Sequence, residues 1–490
     1  MSEQKPEVDY GKIGLKSGLE IHQQLDTKKL FCNCPSVLRK DEPDFIVKRK
    51  LHAVAGESGE VDIAAKHEAS LDREFSYEGY DTTCLFELDE EPCHEINQEA
   101  LKIALQISLL LNAKILSIAQ VMRKTVVDGS NTSGFQRTVL IARDGFVETQ
   151  SGRVGIATIC LEEDSARIIG DKGGEKIAVY RLDRLGIPLI EIATEPEIKT
   201  PEQAKEVALH IGEILRSAKV KRGLGTIRQD VNLSIKTGKR VELKGFQDIS
   251  NIERAMGTEV KRQQDLVRKG KSISEVRKVL PNGVSEFLRP MPGAARMYPE
   301  TDLPLLKISR DMINEAKKNL PRLKKDIESE LASHGLNKEM TSLLLKENKV
   351  EDFKELMKVV ENPQVVAKVL LIYPKEISAR EKIPLNKTEK ILNKDVLVNV
   401  LENLKKGKIS EGDLKHVLSR ILIEVARGGD HDRTFEIKKE DSSSVEEKIM
   451  KIIKDKPGLS FNAYMGIVMK QFKGQISGNE AAEIIKKYVK

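Results

Sequence analysis

The chain has 490 residues, of which 39% are hydrophobic, 32% charged and 4% aromatic. This length and apolar content predict two to four domains with a sizeable core, and they exclude a disordered or fibrous chain. The formal net charge of +6 permits a polyanionic partner without requiring one. The absence of Trp and the low aromatic content argue against a single-strand binder built on aromatic platforms.

The N-terminal segment 1–10 is polar and acidic, unlike a secretory signal. The longest apolar stretch, residues 107–111, is far shorter than the ~20 residues that a bilayer requires. The five cysteines are few and odd in number, which excludes a disulfide scaffold and fits a reducing compartment. We therefore expect a cytoplasmic protein with no membrane partner.

Two sequence regimes indicate the domains. Residues 1–305 contain most glycine-rich turns and alternating runs, whereas the sequence after 305 has helical periodicity with many Lys and Glu. A second boundary is indicated by the polar segment 441–444. We predict a catalytic domain over residues 1–305, an all-α helical domain over 306–440 and a tail domain over 441–490.

Strand and helix signals alternate in the first of these domains. Residues 97–112 are predicted to form an amphipathic helix, and residues 201–216 a second one. Thr200 is the expected N-cap of the second helix, with Pro201 at its first helical position. Short alternating segments separated by hairpin-length gaps predict an α+β fold with a largely antiparallel sheet.

The alternating segments place polar side chains together, because residues i and i+2 share one face of a strand. Segments 18–24, 188–195, 230–236 and 241–244 each have an apolar and a polar face. The polar members include Glu20, His22, Glu191, Glu195, Asp230, Glu242 and Lys244.

Most of these polar residues are acidic, and crowded carboxylates repel one another unless a cation lies among them. A site for a divalent metal or a metal–nucleotide is one interpretation, and oxygen ligands with a histidine favour Mg²⁺ or Mn²⁺ over zinc. An ordinary solvated sheet face is the alternative. Glu162, Glu163 and Asp164 follow an apolar segment and either join the metal site or form a charged strand end.

The segment 122–137 is rich in hydroxyl groups and contains Gly129 and Gly134 between basic residues. Its backbone amides could approach phosphate oxygens, with Arg123, Lys124 and Arg137 as counter-charges. A hairpin loop is the alternative interpretation, and the segment is not a P-loop.

Cys32 and Cys34 form a C-x-C pair, and Cys84 and Cys93 follow about 50 residues later. Four thiols could form a tetrahedral structural zinc site, although buried free thiols are the alternative. Cys160 is isolated in an apolar segment and is expected in the core.

Six segments of the chain carry recognisable motifs: GLEIHQQL (18–25), FCNC (31–34), LEED (161–164), DRLGIPLIEI (183–192), RQD (228–230) and YPETDLP (298–304). They resemble those of the GatB/GatE family, the kinase–transamidase subunits of tRNA-dependent amidotransferases. The resemblance extends over nearly the whole chain and includes a YqeY-like tail at 461–475. The motifs occur in the family's order, so the resemblance is specific.

Within that family the chain is more similar to the archaeal GatE branch, by the segments IHQQ (21–24), DEEP (89–92) and 122–137. GatE proteins usually carry an inserted domain related to one in bacterial aspartyl-tRNA synthetases. The interval between Gln247 and Phe287 is far too short for that domain. We therefore expect a GatE-like chain without the insertion.

The resemblance implies a cradle like that of glutamine synthetase and the guanidino kinases, followed by two helical modules. It also implies an ATP- and Mg²⁺-dependent reaction. The γ-carboxylate of Glu attached to tRNA(Gln) is phosphorylated, and ammonia then displaces phosphate to give Gln-tRNA(Gln). Glutamine is the implied amido donor, through a GatD-type, asparaginase-like glutaminase subunit or, alternatively, a GatA/GatC pair.

The implied residue roles follow from these motifs. Catalytic roles are expected for Glu20, His22, Glu163 and Glu191. Magnesium ligands are expected among His22, Glu162, Glu163, Glu191, Glu195, Asp230 and Glu242. Phosphate-binding roles are expected for Arg137, Arg228 and Lys244, tRNA-binding roles for Lys470, Lys473, Lys486 and Lys487, and zinc ligation for Cys32, Cys34, Cys84 and Cys93.

Two alternatives from other functional classes remain at this point. One is a non-catalytic tRNA-binding scaffold, and the other is a small-molecule carboxylate–amine ligase on the same cradle. The intact alternation of acidic residues disfavours the first, and the basic tail disfavours the second.

Overall fold

A computed structural model describes residues 9–55, 59–171, 177–246, 248–293, 296–347, 349–426, 442–471 and 478–489. The chain divides into two compact units, residues 1–323 and residues 324–490.

The first unit contains the described strands. Their bounds are β1 (Lys16–Gln24), β2 (Phe45–Arg49), β3 (Glu74–Gly79), β4 (Lys114–Ile115), β5 (Ile118–Ala119), β6 (Val121–Thr125), β7 (Phe135–Thr149), β8 (Gly152–Glu163), β9 (Arg167–Asp171), β10 (Ile177–Arg181), β11 (Pro188–Thr194), β12 (Ile227–Ser234), β13 (Val241–Phe246), β14 (Glu275–Val279), β15 (Ser285–Pro290), β16 (Met297–Pro299) and β17 (Leu306–Lys307). Its helices are α1 (Tyr10–Ile13), α2 (Ile63–Ala69), α3 (Gln98–Leu110), α4 (Pro201–Ser217), α5 (Ile252–Arg268) and α6 (Arg310–Lys318), with 3₁₀ turns at Phe86–Leu88 and Ile249–Asn251.

One large sheet dominates this unit. Its strand order is β15-β14-β13-β12-β1-β11-β8-β7-β6-β16, and β4 pairs with β7. Neighbouring strands are antiparallel except β13 and β14, which are parallel. A four-stranded sheet, β2-β3-β10-β9, and a two-stranded sheet, β17-β5, complete the unit. The predicted mixture of helices with a largely antiparallel sheet is confirmed.

Both helices predicted in this domain are present, as α3 and α4. The Thr200 hydroxyl accepts a hydrogen bond from the Gln203 backbone N–H, and Pro201 occupies the first turn, as expected for an N-terminal cap. Helices α3, α4 and α5 pack on one face of the large sheet. Leu19, Ile21 and Ile192 point into the resulting hydrophobic core. The opposite face of the same strands therefore carries their polar side chains.

The large sheet is strongly curved. Its two edge strands, β15 and β16, are consecutive in the sequence, and the chain from 290 to 297 can span at most about 25 Å. A flat sheet would separate these edges by nine strand intervals, or about 43 Å. Arg289 of β15 and Thr125 of β6 line the same cavity. The edges of the sheet therefore approach each other.

The second unit is helical throughout its described residues. Its helices are α7 (Lys324–Ser333), α8 (Lys338–Lys346), α9 (Val350–Met357), α10 (Pro363–Ala367), α11 (Tyr373–Glu381), α12 (Leu385–Ile391), α13 (Lys394–Lys405), α14 (Leu414–Ala426), α15 (Ser442–Asp455), α16 (Phe461–Gln471) and α17 (Gly478–Tyr488). A π-helical turn, Lys368–Ile372, joins α10 to α11, and a 3₁₀ turn spans Glu411–Asp413. One hydrophobic cluster is formed within residues 331–422 and another within 449–485. Among the described helices, none has the length and apolar character needed to cross a membrane.

The first compact unit extends beyond residue 305, where the sequence pattern changes. Helix α6 packs against α3, and Lys102 pairs with Glu315 at 2.5 Å. This contact explains why the compact unit continues to residue 323. The predicted joint at 441–444 begins at residue 441, which lies outside the described residues. The three predicted domains stay predictions.

Candidate active site on the polar sheet face

Neighbouring strands bring the predicted polar residues together. In the register of β1 with β12 and β11, Glu20 lies opposite Asp230, and His22 lies opposite Glu191. Two clusters result, in each of which the potential ligand atoms lie within 4.8 Å of one another. We call them the histidine cluster (His22, Glu162, Glu191) and the carboxylate cluster (Glu20, Asp230, Glu242).

The histidine cluster contains a lysine as well. His22 Nε2 is 3.2 Å from Glu191 Oε2 and 3.7 Å from Glu162 Oε1. Lys124, from β6, donates a hydrogen bond from Nζ to Glu162 Oε2 at 2.9 Å and lies 3.7 Å from Glu191 Oε2. Two carboxylates therefore share two potential cations.

The charges in this cluster support each other's ionised states. Burial alone would lower the pKa of His22, but the hydrogen bond and charge of Glu191 and the charge of Glu162 outweigh it and raise that pKa. Burial would raise the pKa of Glu191, but Lys124 and His22 hold it well below its usual range. The Glu191 carboxylate is therefore ionised and can accept hydrogen bonds from a cationic ligand.

The carboxylate cluster also contains an ammonium group. Lys244 donates from Nζ to Asp230 Oδ2 at 2.6 Å and contacts Glu242 Oε1 at 2.5 Å. Burial would lower the pKa of Lys244, but these two carboxylates outweigh burial and raise it. Glu20 accepts a hydrogen bond from Asn232 Nδ2 at 3.0 Å. Burial, together with the charges of Glu191 and Glu242, raises the pKa of Glu20.

The donor sets fit a hard divalent cation. Carboxylate oxygens with at most one histidine are the ligands that Mg²⁺ and Mn²⁺ prefer. Lys124 and Lys244 provide the positive charge that crowded carboxylates require. From the sequence, Lys124 was predicted as a counter-charge in a possible phosphate-binding loop. Its contact with Glu162 depends on the register of β6, β7 and β8, which the sequence pattern does not contain.

Residues 15–314 match the GatB/GatE catalytic domain. This segment covers more than half of the chain. The chain belongs to the GatB/GatE family.

Three relatives show the extent of the GatB/GatE similarity, and each is named as a subunit of glutamyl-tRNA(Gln) amidotransferase, of the kind designated by the letter E. The protein from Methanocaldococcus jannaschii is 36% identical over 99% of this chain and 100% of its own length. That from Archaeoglobus fulgidus is 35% identical over 99% of both chains. That from Pyrobaculum neutrophilum is 35% identical over 82% of this chain and 90% of its own.

The alignment with the Methanocaldococcus jannaschii protein extends over 636 positions, whereas this GatB/GatE chain has 490 residues. The relative therefore carries residues that this chain lacks. This difference agrees with the predicted absence of an inserted domain.

Arg228 lies at the same polar face of the GatB/GatE catalytic domain. It donates from Nη2 to the buried Asp164 Oδ1 at 3.0 Å. Gln24 donates to the other Asp164 oxygen at 2.6 Å. Arg228 and Lys244, both predicted to bind phosphate, are thus already paired with carboxylates.

Glu163 and Arg137 lie on the opposite face, because residues adjacent in a strand alternate. Glu163 Oε2 accepts a hydrogen bond from the Arg137 backbone N–H at 3.1 Å. Arg137 donates from Nε to Glu300 Oε2 at 2.7 Å, and Arg123 pairs with the other oxygen of Glu300. We call Arg123, Arg137, Glu163 and Glu300 the buried arginine network. The structure therefore separates Glu163 and Arg137 from the residues with which they were predicted to act.

Glu195 is also outside both clusters. It follows the last residue of β11 and is exposed. The strand register shifts between Ala193 and Thr194, so the alternation that was predicted to place Glu195 beside Glu191 ends before it.

The GatB/GatE domain brings three of the predicted cysteines together. Cys32, Cys34 and Cys84 form a cluster with Glu87 that could hold a metal such as zinc. Hydrogen bonds from Cys32 and Cys34 lower the pKa of the Cys84 thiol to about 2. Glu87 pairs with the buried Lys29 and accepts the Cys84 backbone N–H at 2.9 Å.

Cys93 lies outside this cysteine cluster. It is buried, and burial raises the pKa of its thiol. The structure therefore offers three sulfur ligands where the sequence predicted four. Cys160 is only half-buried and lies beside Glu191 and Glu162 on the polar face, whereas it was expected in the core.

The predicted tRNA-binding lysines lie in the helical unit. Lys486 and Lys487 are exposed in α17, and Lys487 donates to Glu446 at 3.1 Å. The side chain of Lys470 and all of Lys473 lie outside the described residues.

Proposed function

We propose that this chain is the subunit of glutamyl-tRNA(Gln) amidotransferase that converts Glu-tRNA(Gln) to Gln-tRNA(Gln). ATP phosphorylates the γ-carboxylate of the attached Glu, and ammonia then replaces the phosphate. The chain would thus be part of an ATP-dependent carbon–nitrogen ligase. The observation that supports this most is one polar face carrying both clusters, in a domain shared with relatives of that name.

The carboxylate cluster is the proposed phosphorylation site. Glu20, Asp230 and Glu242 would hold Mg²⁺, which offsets negative charge when ATP and a carboxylate meet. Lys244 adds a positive charge beside Asp230 and Glu242. The curved sheet would act as the cradle, as implied by the resemblance to glutamine synthetase and the guanidino kinases.

The histidine cluster is the proposed ammonia site. Glu162 and Glu191 offer acceptor oxygens to an ammonium ion, and His22 lies within 3.2 Å of Glu191. The unprotonated imidazole would take a proton from ammonium and leave ammonia as the nucleophile. Lys124 fixes Glu162 through its hydrogen bond.

Three further roles complete the proposal. A glutaminase subunit of GatD type, or alternatively a GatA/GatC pair, would supply ammonia from glutamine in the cytoplasm. The helical unit would contact tRNA, with Lys486 and Lys487 on its exposed surface. Cys32, Cys34 and Cys84 would hold a structural zinc ion.

The test bypasses the partner subunit. Purified protein is incubated with ATP, Mg²⁺, ammonium chloride and tRNA(Gln) charged with labelled Glu, and labelled Gln is measured after deacylation. We expect conversion that is lost in His22→Ala and Glu191→Ala. Glu195→Ala is the matched control, because this exposed carboxylate lies outside both clusters.

No conversion by wild-type protein that binds the charged tRNA would contradict catalysis by this chain alone. Repeating the assay with the glutaminase subunit then separates a partner-dependent enzyme from a scaffold. Conversion that persists in both site variants would place the chemistry elsewhere.

A further inference from the structure

The cations of the polar face differ in their partners. Lys124, Lys244 and Arg228 each lie within 3.0 Å of a carboxylate oxygen. Arg289 and Arg296 differ from them. In the described part of the chain, neither guanidinium has a hydrogen bond or a carboxylate oxygen within 4.0 Å.

The two unpaired arginines meet because the sheet is curved. Arg289 lies in β15, at one edge, and Arg296 immediately precedes β16, at the other. Both line the same cavity, which is open to solvent. Thr125 and residues 126–128, at the end of β6, line the same cavity.

Arg289 lies on the same sheet face as the carboxylate cluster. The register places Val276 beside Glu242 and Arg289 beside Val276, so Arg289 and Glu242 share one face. Arg296 is within electrostatic range of Glu242 and Glu162. A ligand bound by the arginines would therefore extend towards the proposed magnesium ligands.

Three acidic residues line the cavity, and the charges of Asp62 and Glu68 act on Arg296 and Arg289, but neither arginine forms an ion pair with them. Asp62 accepts hydrogen bonds from the backbone N–H groups of Ala64 and Gly293. Asp128 accepts one from the Ser130 N–H at 2.9 Å. Glu68 is not within ion-pair distance of either arginine, and burial, together with Asp128, raises its pKa.

The two guanidinium groups are therefore held together without a close counter-ion. Burial lowers the pKa of Arg296, and the neighbouring charge of Arg289 lowers it further. Two partly buried like charges repel and are stabilised by an anion placed between them. Guanidinium groups bind phosphate oxygens through paired hydrogen bonds, which suits them to this role.

We propose that Arg289 and Arg296 form a subsite for a phosphate group of the nucleoside triphosphate, next to the carboxylate cluster. The proposal rests on the ATP-dependent step proposed above and names residues for it. Arg289 and Arg296 thus take over the phosphate-binding role that the sequence had suggested for three other residues. Arg137 lies on the opposite face, and Arg228 and Lys244 are already paired with carboxylates. A phosphate of the tRNA 3′ end is the other source of the same chemistry, and the test separates the two.

The test measures binding, without catalysis. Isothermal titration calorimetry is carried out with Mg²⁺ and a non-hydrolysable ATP analogue, and separately with tripolyphosphate. We expect Arg289→Ala and Arg296→Ala each to lower the affinity for both ligands at least about tenfold, because each variant loses a charge-assisted hydrogen bond. Arg289→Lys should retain part of the affinity for tripolyphosphate, because it keeps the charge but loses the fork.

The matched control is Arg268→Ala. Arg268 is an exposed arginine at the end of α5, paired with Asp265 at 3.2 Å. The Arg268→Ala variant should have the affinity of the wild type for both ligands. Thermal unfolding of each variant checks that the fold is retained, and Arg289→Lys serves where the alanine variant unfolds.

Affinity for both ligands within about twofold of the wild type in Arg289→Ala and Arg296→Ala would overturn the subsite. Weaker binding of charged tRNA with unchanged nucleotide affinity would also overturn it and assign the arginines to the tRNA end. If wild-type protein converts Glu-tRNA(Gln) while these variants bind nucleotide normally, the proposed function stands and only the subsite fails. If wild-type protein binds no nucleotide, both fail.

Discussion

Two charged regions share the strands β6, β7 and β8 and lie on opposite faces of the sheet. On the polar face are Lys124 and Glu162, and one residue away on the core face are Arg123 and Glu163. The buried arginine network is closed, because Glu300 is fully buried and both its oxygens are paired with arginines. The polar face keeps partly exposed side chains, with Lys244 29% and Glu191 17% exposed.

This comparison separates two uses of the same residue types. In the buried arginine network, charges satisfy one another and the Phe135 ring lies against both guanidinium groups. This arrangement holds β6, β7 and β16 together. On the polar face the charges remain accessible to a ligand, which is the requirement for catalysis. A sequence of alternating charged residues can therefore supply a structural network and a reactive face from the same strands.

The largest expected effect tests the adjacent pair Glu162 and Glu163. In Glu162→Gln, ammonium-dependent conversion should fall about 10²–10⁴-fold, because an ionised acceptor for ammonium is lost and the base His22 loses one of its two carboxylate partners. Its free energy of unfolding should fall less than that of Glu163→Gln, since Lys124 and His22 still pair with Glu191. The measurements are the labelled-Gln assay and urea denaturation.

Glu163→Gln is the control for that variant. It should lose stability and retain a conversion rate per folded molecule near that of the wild type. Equal losses of activity in the two variants would contradict the division between the faces.

Removal of Glu300 should have the largest effect on stability. Glu300→Ala leaves Arg123 and Arg137 without their shared carboxylate, and breaking such a buried pair costs about 3–5 kcal/mol. Urea denaturation measures the loss. Glu315→Ala, at an exposed pair with Lys102, should cost no more than about 1 kcal/mol. Similar costs for both variants would show that the network is not structural.

The third prediction concerns zinc bound by the cysteine cluster. Anaerobically purified protein should hold one zinc ion per chain, and Cys84→Ser should lose it, because Cys84 is the thiol most readily ionised in the cluster. Elemental analysis gives the ratio. Cys160→Ser, outside the cluster, should keep the metal. A wild-type protein without zinc would refute the site.

The smallest expected effect is on pH dependence. The pKa of His22 is raised in the folded protein, so the imidazole stays protonated to a higher pH than an ordinary histidine. If the unprotonated form accepts a proton from ammonium, the rate at a constant, subsaturating ammonium concentration should rise with pH up to that raised pKa. Below it the slope should be about tenfold per pH unit. A pH profile with an NMR titration of His22 measures this, and a midpoint below the ordinary value would exclude the assignment.

Much of the site could be predicted from local alternation. The period of two in a strand is a local property, so Glu20 with His22, and Glu242 with Lys244, were assigned to their faces from the sequence alone. Helix α4 was also predicted from a local signal, because the capping residue Thr200 and Pro201 in the first turn are neighbours in the sequence. Glu195 was misplaced beside Glu191 because a register shift interrupts that period.

What the sequence determined by itself was the residue types, their faces and the family. Only the tertiary structure decided which faces meet. It placed Lys124 against Glu162, separated Glu163 from the reactive face and replaced Cys93 by Glu87 beside the three thiols. It also brought Arg289 and Arg296 together from opposite sheet edges. The physical reason is that strand register and sheet curvature depend on pairings between distant segments, which a local period does not contain.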